Sequence, residues 1–315
     1  MAKKVWKIIA SRLLQTVVVL VGISFLTFLL IHLSPGDPVR SMYAASGSMP
    51  SDEIIEQTRE TLGLNKPFIT QYFSWLLKCL HGDFGTSYLY SKPVLELLKT
   101  RLASTLKLTL LAIAVMLVIS LPLGIFSATH RGGIADYLVR LLSFFGVSMP
   151  NFWIALLLLY VFGVQLKLLP VVSSGKTSVS YVLPVATLAF GMAASYTRQV
   201  RTAFLEELEQ EYVTGARCRG IKESIILWKH VLPNAFLPLI TMLGLSMGAL
   251  LGGTTAVEVI FSYPGLGSLA TKCITAMDYN VIQAYVLWTA LIYMIVNLAV
   301  DISYTFLDPR IREGK

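Results

Sequence analysis

The chain has 315 residues and a formal net charge of +8, with 14% charged and 55% hydrophobic residues. Soluble domains carry about 25% charged residues, so water does not bathe most of this surface and the composition is that of a membrane protein. The positive balance would suggest nucleic acid in a soluble domain; here orientation in a membrane accounts for most of it, and the three cysteines (Cys79, Cys218, Cys273) show no metal-ligand spacing.

Six apolar runs approach or exceed the roughly 20 residues a spanning helix needs, at about 9–33, 104–128, 139–163, 181–203, 235–257 and 284–307. The first follows Lys3, Lys4 and Lys7 and has no small-residue cleavage site after it, so it reads as an uncleaved span. With both termini inside, 15 of the 26 Lys and Arg residues are cytoplasmic. Eight of the rest lie in or beside one segment near 34–107, and translocated segments longer than about 60 residues largely escape the charge rule. The expected fold is therefore an all-α integral membrane protein with six transmembrane helices, N-in/C-in. Its parts are an amino-terminal tail and first span over 1–33, an extracytoplasmic segment with short helices over 34–103, a core over 104–310 and a tail over 311–315.

His32 to Pro38 stops the first span with two prolines and a glycine. Beyond it, Ser51 is placed to cap a short helix that Gly63 ends, and a second helix runs from about Pro67 to Leu80. Tyr72, Phe73 and Trp75 of that helix either cover the membrane surface or help dock an external partner. His81 and Asp83 flank Gly82; turn chemistry explains the pair, and no metal site is assigned. Cys79 and Cys273, both outside, are either bridged or plain thiols.

Lys107 sits about one turn inside the second span, where its stem reaches the outer surface. In the third span Pro150 removes the hydrogen bond to the carbonyl of Gly146 and kinks the helix, with Ser148 or Asn151 able to satisfy the freed backbone. Gly175-Lys176-Thr177 resembles the end of a phosphate-binding loop, but Pro170 stands where its first glycine should be. Nothing in the chain is expected to bind ATP.

The stretch from Glu206 to Asn234 is the long polar segment between two membrane-length runs on the cytoplasmic side. Phe204, Leu208 and Tyr212 recur four apart, which predicts an amphipathic helix from about 204 to 218. Gly220 breaks it, and Ile221, Ile225 and Trp228 mark a second short amphipathic piece before Pro233. The product is a helix, a glycine elbow and a helix over 204–230, acidic at its start and basic at its end.

In the fifth span Gly244, Gly248 and Gly252 recur four apart, with Gly253 beside the last; this spacing allows close helix approach and marks a packing or pore surface. Glu258 ends that span at the outer surface, where either a base pairs with it or it faces an aqueous path. In the last span Asp301 is the clearly intramembrane acid, four residues after Asn297 and on the same face. Asn151, Glu258 and Asp301 are the translocation-path candidates.

A membrane enzyme needs clustered nucleophiles, bases or metal ligands, yet His32, His81, His130 and His230 are scattered. An ion-coupled secondary transporter usually shows internal repeats and paired midplane ionisable groups, which are not apparent here. A pore subunit driven by an engine on another chain gives the charged elbow a purpose.

Specific stretches support that last class. Thr214-Gly215-Ala216-Arg217-Cys218-Arg219-Gly220, nine residues, then His230-Val231-Leu232-Pro233 is similar to the coupling signature of ATP-binding-cassette importer permeases, usually written EAA, three residues, G, nine residues, I-x-L-P. Ala216, Gly220, Leu232 and Pro233 match, while Thr214, Gly215 and His230 depart; the local form with Tyr212 resembles the peptide and nickel branch. HLSPGDP at 32–38, GDFGTS at 82–87, Pro122 to Gly124, SYPGLG at 262–267, Asp278-Tyr279 and DPRIR at 308–312 extend the likeness over nearly the whole chain. WLLKCLHGDFG at 75–85 and GVSMPNFW at 146–153 look most like nickel permeases.

The resemblance implies a type I importer fold and no catalysis by this chain. Glu211, Tyr212, Thr214, Ala216, Arg217, Arg219, Gly220, Leu232 and Pro233 would dock an ATPase. It implies a second, homologous permease as heterodimer partner, two cytoplasmic ATPase subunits that bind ATP and magnesium, and an extracytoplasmic solute-binding protein. The setting would be the cytoplasmic membrane of a bacterium or archaeon, with no nucleic acid partner. The solute would be nickel, as a chelate, with dipeptide or oligopeptide import as the alternative.

Overall fold

The computed structural model describes residues 2–34, 36–45, 47, 50–175 and 177–307; for 2–10, 45, 237, 245, 249, 251–253 and 301–307 it describes backbone alone. Pro35, Lys176, the surroundings of Gly252 and Gly253, the side chain of Asp301, and 308–315 with the DPRIR stretch lie outside the described residues. In chain order the helices are α1 (Ala2–Leu33), α2 (Pro38–Ala45), α3 (Asp52–Thr61), α4 (Phe68–Leu80), α5 (Val94–Thr129), α6 (Ile134–Ser148) and α7 (Asn151–Leu158), the last continued by a π-helix over Leu159–Gln165. After a 3-10 turn come α8 (Val182–Leu208), α9 (Glu211–Cys218), α10 (Glu223–Ile225) with a π-helix over Ile226–Val231, α11 (Leu232–Gly253), α12 (Thr255–Ile260), α13 (Leu266–Thr275) and α14 (Tyr279–Leu307). Among the described residues there is no strand, only an isolated bridge between Thr86 and Pro93.

Among the described residues, four stretches are long and apolar enough to cross a membrane unbroken: Ser11–Leu33, Val94–Thr129, Ser178–Leu208 and Tyr279–Val300. Two bent pairs raise the number to six if each is one span, Ile134–Ser148 with Asn151–Gln165 and Glu223–Phe236 with Pro238–Gly248. The third apolar run is thus not one kinked helix. The chain turns by 99° between α6 and α7. Met149 and Pro150 are extended, so the helix stops and restarts, and the Pro150 carbonyl accepts the amides of Trp153 and Ile154. A proline lacks the amide and disfavours helical geometry at its predecessor, so Met149 is where the helix can stop.

The chain forms two compact units. The first joins 1–105 with 264–295. Inside it, Phe25, Phe28 and His32 of α1 pack edge-on against Phe68 and Tyr72 of α4, and the buried hydroxyls of Ser24 and Tyr72 lie 2.8 Å apart. Asp278, fully buried before α14, accepts from Ser87 Oγ at 2.5 Å and from the Leu89 amide at 3.1 Å, tying the 86–90 turn down. Cys79 and Cys273 are free thiols; burial pushes each up to about 12. His81 and Asp83 are spent on the turn: His81 Nδ1 contacts the Leu77 carbonyl and Asp83 accepts the Gly85 amide.

The second unit joins 106–263 with 296–315, and α8 is its central helix. Met116, Leu188, Tyr196, Phe204, Val213, Ile226, Phe261 and Tyr263 bury one continuous core. Close approach is set by small residues: a Cβ on Gly146 of α6 would lie 2.5 Å from Ala194 Cβ of α8. On α11, a Cβ at Gly244 would collide with the Val300 side chain of α14 in the same chain. Gly244 therefore packs α11 against α14 within this chain. Gly248 is buried. Lys107 Nζ stands 4.4 Å from the Tyr181 ring centroid, a cation over an aromatic face.

Candidate functional site

The polar elbow begins where α8 ends. Gln210 is extended and its carbonyl accepts the Val213 and Thr214 amides, so α9 restarts in a new direction. The single helix expected over 204–218 is thus two. The turned-in face of α9 also differs from the expected Phe204, Leu208 and Tyr212 line: Val213 and Ala216, three apart, are buried with Ile226 and Val231, while Tyr212 is 38% exposed. Likewise Ile225 and Trp228, expected on the buried face of the second piece, are exposed, and Ile226 is buried in their place. Both runs are short, and what decides their facing is the one residue that fits the core.

Gly220 closes α9. Its φ is +71°, its amide donates to the Arg217 carbonyl at 2.9 Å, and the Ile221 amide donates to the Ala216 carbonyl at 3.2 Å. These two bonds are those of a Schellman motif, in which a left-handed residue caps the helix. Arg217 then reaches across the turn to Glu223, with Nη2 and Nε at 2.6 and 3.2 Å from its oxygens. Arg217's basicity is raised by that hydrogen bond. With both partners about half exposed, the pair orders the turn and adds little stability.

Tyr212 OH donates to Glu207 at 2.7 Å and accepts from Asn234 Nδ2 at 3.2 Å, joining α9 to the end of α8 and the start of α11. Glu211, Thr214, Arg217 and Arg219 share the exposed surface above buried Ala216; Leu232 packs on the core and Pro233 stands exposed in the first turn of α11. The residues matching the signature thus divide by physics: Ala216 fits beneath the helix, Gly220 needs the left-handed backbone, and Pro233 costs no hydrogen bond at a helix start.

Beneath the elbow lies a network that sequence inspection did not find. Asp136, fully buried at the start of α6, accepts Arg201 Nε at 2.7 Å and Nη2 at 2.9 Å from α8, Ser127 Oγ at 2.5 Å from α5 and the Gly132 amide at 3.0 Å. Arg131 and Glu209 form a second, exposed pair between the same loop and the α8 end. Arg201 stood in the count of cytoplasmic bases, but nothing local to either sequence position signals a partner 65 residues away.

A cavity of about 310 Å³ opens between α6, α7, α8 and α11. Its polar lining is Asn151, Ser195, Tyr196, Gln199 and Ser246, with the thioethers of Met149 and Met192; among the described residues no charged side chain lines it. Asn151 lies so close to α8 that a Cβ on Gly191 would stand 2.6 Å from its Oδ1. Gln199 Oε1 is buried and has no hydrogen-bond partner among the described residues. The sequence candidates are not all brought together here. Asn151 is in the cavity. Glu258, expected at the outer surface, is instead fully buried, with Thr254 Oγ1 donating to it at 3.3 Å, because α12 folds into the core beyond the end of α11. Among the described residues no three His, Cys, Asp or Glu side chains gather as a metal site.

Residues 120–313 match the family described as binding-protein-dependent transport system inner membrane component, and 5–109 match its amino-terminal companion. The glutathione transport system permease protein GsiC of Pectobacterium atrosepticum is 39% identical, covering 96% of this chain and 97% of that one. The metal-staphylopine import system permease protein CntB of Staphylococcus aureus is 37% identical, covering 98% and 99%. The probable D,D-dipeptide transport system permease protein DdpB of Escherichia coli is 35% identical, covering 98% of each. Among solved structures, an inward-facing MetNI methionine ABC transporter superposes with a TM-score of 0.56 at 18% identity, over 67% of this chain and 96% of that one, a likeness of fold.

Proposed function

Because this chain belongs to the family of binding-protein-dependent transport system inner membrane components, we propose that it forms half of the translocation pore of an ATP-driven importer of small peptides. The family is a transport component and not a catalytic one. The observation that carries the reading is the capped elbow: a short, exposed, charged projection fixed at Gly220 and fastened through Tyr212 to both flanking helices can transmit a push from below to the spans on either side.

In this proposal the chain crosses a bacterial or archaeal cytoplasmic membrane six times with both termini inside, and 34–103 is extracytoplasmic. A second, homologous permease completes the pore, a solute-binding protein delivers from outside, and one of two ATPase subunits holding ATP and magnesium docks on 211–228. ATP binding must favour one pore state over another, since a ligand shifts an equilibrium only by its differential affinity. Asn151 and the uncharged cavity around it line the path, and the amides and hydroxyls there suit a peptide backbone. The volume is at the lower end of ligand cavities, about 300–1,000 Å³, which fits a dipeptide-sized solute. Two relatives are named for peptides, D,D-dipeptide and glutathione.

A nickel chelate is the second reading. It rests on the stretches at 75–85 and 146–153 and on the relative named for metal-staphylopine. A bare dication needs several convergent ligands, so the metal would cross inside its chelator.

Uptake of labelled dipeptide and of labelled nickel, with and without chelator, in cells lacking this chain and in cells with it restored, tests both. Restoration of dipeptide uptake alone supports the first reading. Restoration of nickel uptake that needs chelator and ignores dipeptide replaces it with the second, and no dependence of either solute on this chain overturns both.

A further inference from the structure

Helix α4 carries three separate faces along its length. Phe68, Tyr72 and Trp75 face α1; Ile69, Phe73, Leu77 and Leu80 are exposed; and Thr70, Ser74 and Lys78, four apart, form an exposed polar line beside the apolar one. Apart from the Phe73 ring, which meets Tyr72 edge-on, the apolar line makes no ring contact among the described residues. Its four side chains are between 54% and 76% exposed.

The level at which α4 attaches gives that line a solvent. The stretch Ser11–Leu33 of α1 is long and apolar enough to span a membrane. Tyr72 OH meets Ser24 Oγ at 2.8 Å, and Tyr72 also contacts Phe25 and Phe28. Ser24 lies nine residues before the Leu33 end of that stretch, which at 1.5 Å per residue is about 13 Å along the axis. A helix fastened by a buried hydroxyl pair and six ring contacts, which run from Ser24 to His32 of α1, lies along the end of that stretch and not above it. Sorting of polar and apolar side chains into two adjoining lines over thirteen residues is what a flat water–hydrocarbon boundary selects. Lys78 has the long stem needed to place its ammonium in the headgroups.

We propose that α4 is an interfacial helix, seated in the leaflet at the carboxyl end of α1, with Ile69, Phe73, Leu77 and Leu80 in lipid acyl chains and Thr70, Ser74 and Lys78 at the headgroups. In the topology proposed above this is the outer leaflet. The helix then fixes the depth and rotation of α1 and holds the outer segment close against the bilayer, independently of which solute is carried.

The test uses the assembled transporter in lipid nanodiscs, with nitroxide at Phe73→Cys, Leu77→Cys or Ser74→Cys in a chain whose native cysteines are replaced by serine. Power saturation compares relaxation by oxygen, which concentrates in lipid, with relaxation by chromium oxalate, which stays in water. The oxygen-to-oxalate ratio is expected to be several-fold higher at 73 and 77 than at 74. Equal ratios at the three sites overturn the proposal. A second measurement needs no substitution: a diazirine carried on lipid acyl chains should label the 67–80 peptide of the wild-type complex at Phe73 and Leu77. Absence of label there overturns the proposal, as does a photo-crosslink from position 77 to another protein chain, which would make this face a subunit surface.

Discussion

The buried network at Asp136 offers the sharpest test of how the spans beneath the elbow are held. Asp136→Ala removes four hydrogen-bonded contacts at once and leaves the Arg201 guanidinium facing a carboxylate-sized gap. Breaking a buried ion pair from one side costs about 3–5 kcal/mol, because the remaining charge is desolvated without compensation. Arg201 is 19% exposed against 1% for Asp136, so water partly relieves it and the expected loss is at the low end, about 3 kcal/mol. At roughly 2–4 °C per kcal/mol for chains of this order of size, the purified complex should lose about 6–12 °C in Tm. Arg131→Ala breaks the other pair, whose partners are each 63% exposed. Solvent screening holds that loss below about 1 kcal/mol. The double variant Asp136→Leu, Arg201→Met removes both buried charges and should recover to within about 1 kcal/mol of wild type. The assay is heat treatment of the detergent-purified complex followed by size-exclusion chromatography with fluorescence detection. Equal losses for Asp136→Ala and Arg131→Ala would refute the assignment of stability to burial, and a double variant worse than Asp136→Ala would refute the desolvation account.

Other positions give equally direct outcomes. A Cβ at Gly220 meets nothing within 4 Å, so Gly220→Val is opposed only by the left-handed backbone, at about 1–2 kcal/mol; membrane insertion should persist while ATP hydrolysis uncouples from uptake, and Gly220→Asn should retain coupling. Gly191→Ala pushes its new methyl to 2.6 Å from Asn151 Oδ1 and should lower uptake without loss of assembly; normal uptake in both Gly191→Ala and Asn151→Ala would remove the cavity from the path. At pH 8 a water-soluble maleimide should modify exposed Cys218, whereas thiols pushed up to about 12 hold a thiolate fraction on the order of 10⁻⁴. Because the thiolate is the nucleophile, labelling of Cys79 and Cys273 should grow only as pH rises toward 12. Denaturation without reductant should expose three free thiols, and fewer would point to a Cys79–Cys273 bridge.

The sequence by itself determined the apolar runs, the helical class, the family-like coupling signature and the elbow's glycine. Each depends on residues near one another in the chain: hydropathy over about 20 residues, a left-handed cap, a proline at a helix start. Only the tertiary structure decided how those runs bend and what they meet. Pro150 was legible as a disruption, but a kink and a 99° turn need the same residue, and the choice lies in how closely Gly146 and Asn151 approach α8. The glycine at 244 was legible as a packing residue, but which chain it packs against depends on where Val300 returns. Glu258 carries a charge at a helix end in the sequence, yet it is buried because α12, the short helix that carries it, folds into the core. Asp136 and Arg201 find each other only when α5, α6 and α8 are assembled, so no periodicity announces them. Local preference is written residue by residue, whereas partner choice is a property of the whole chain's return path.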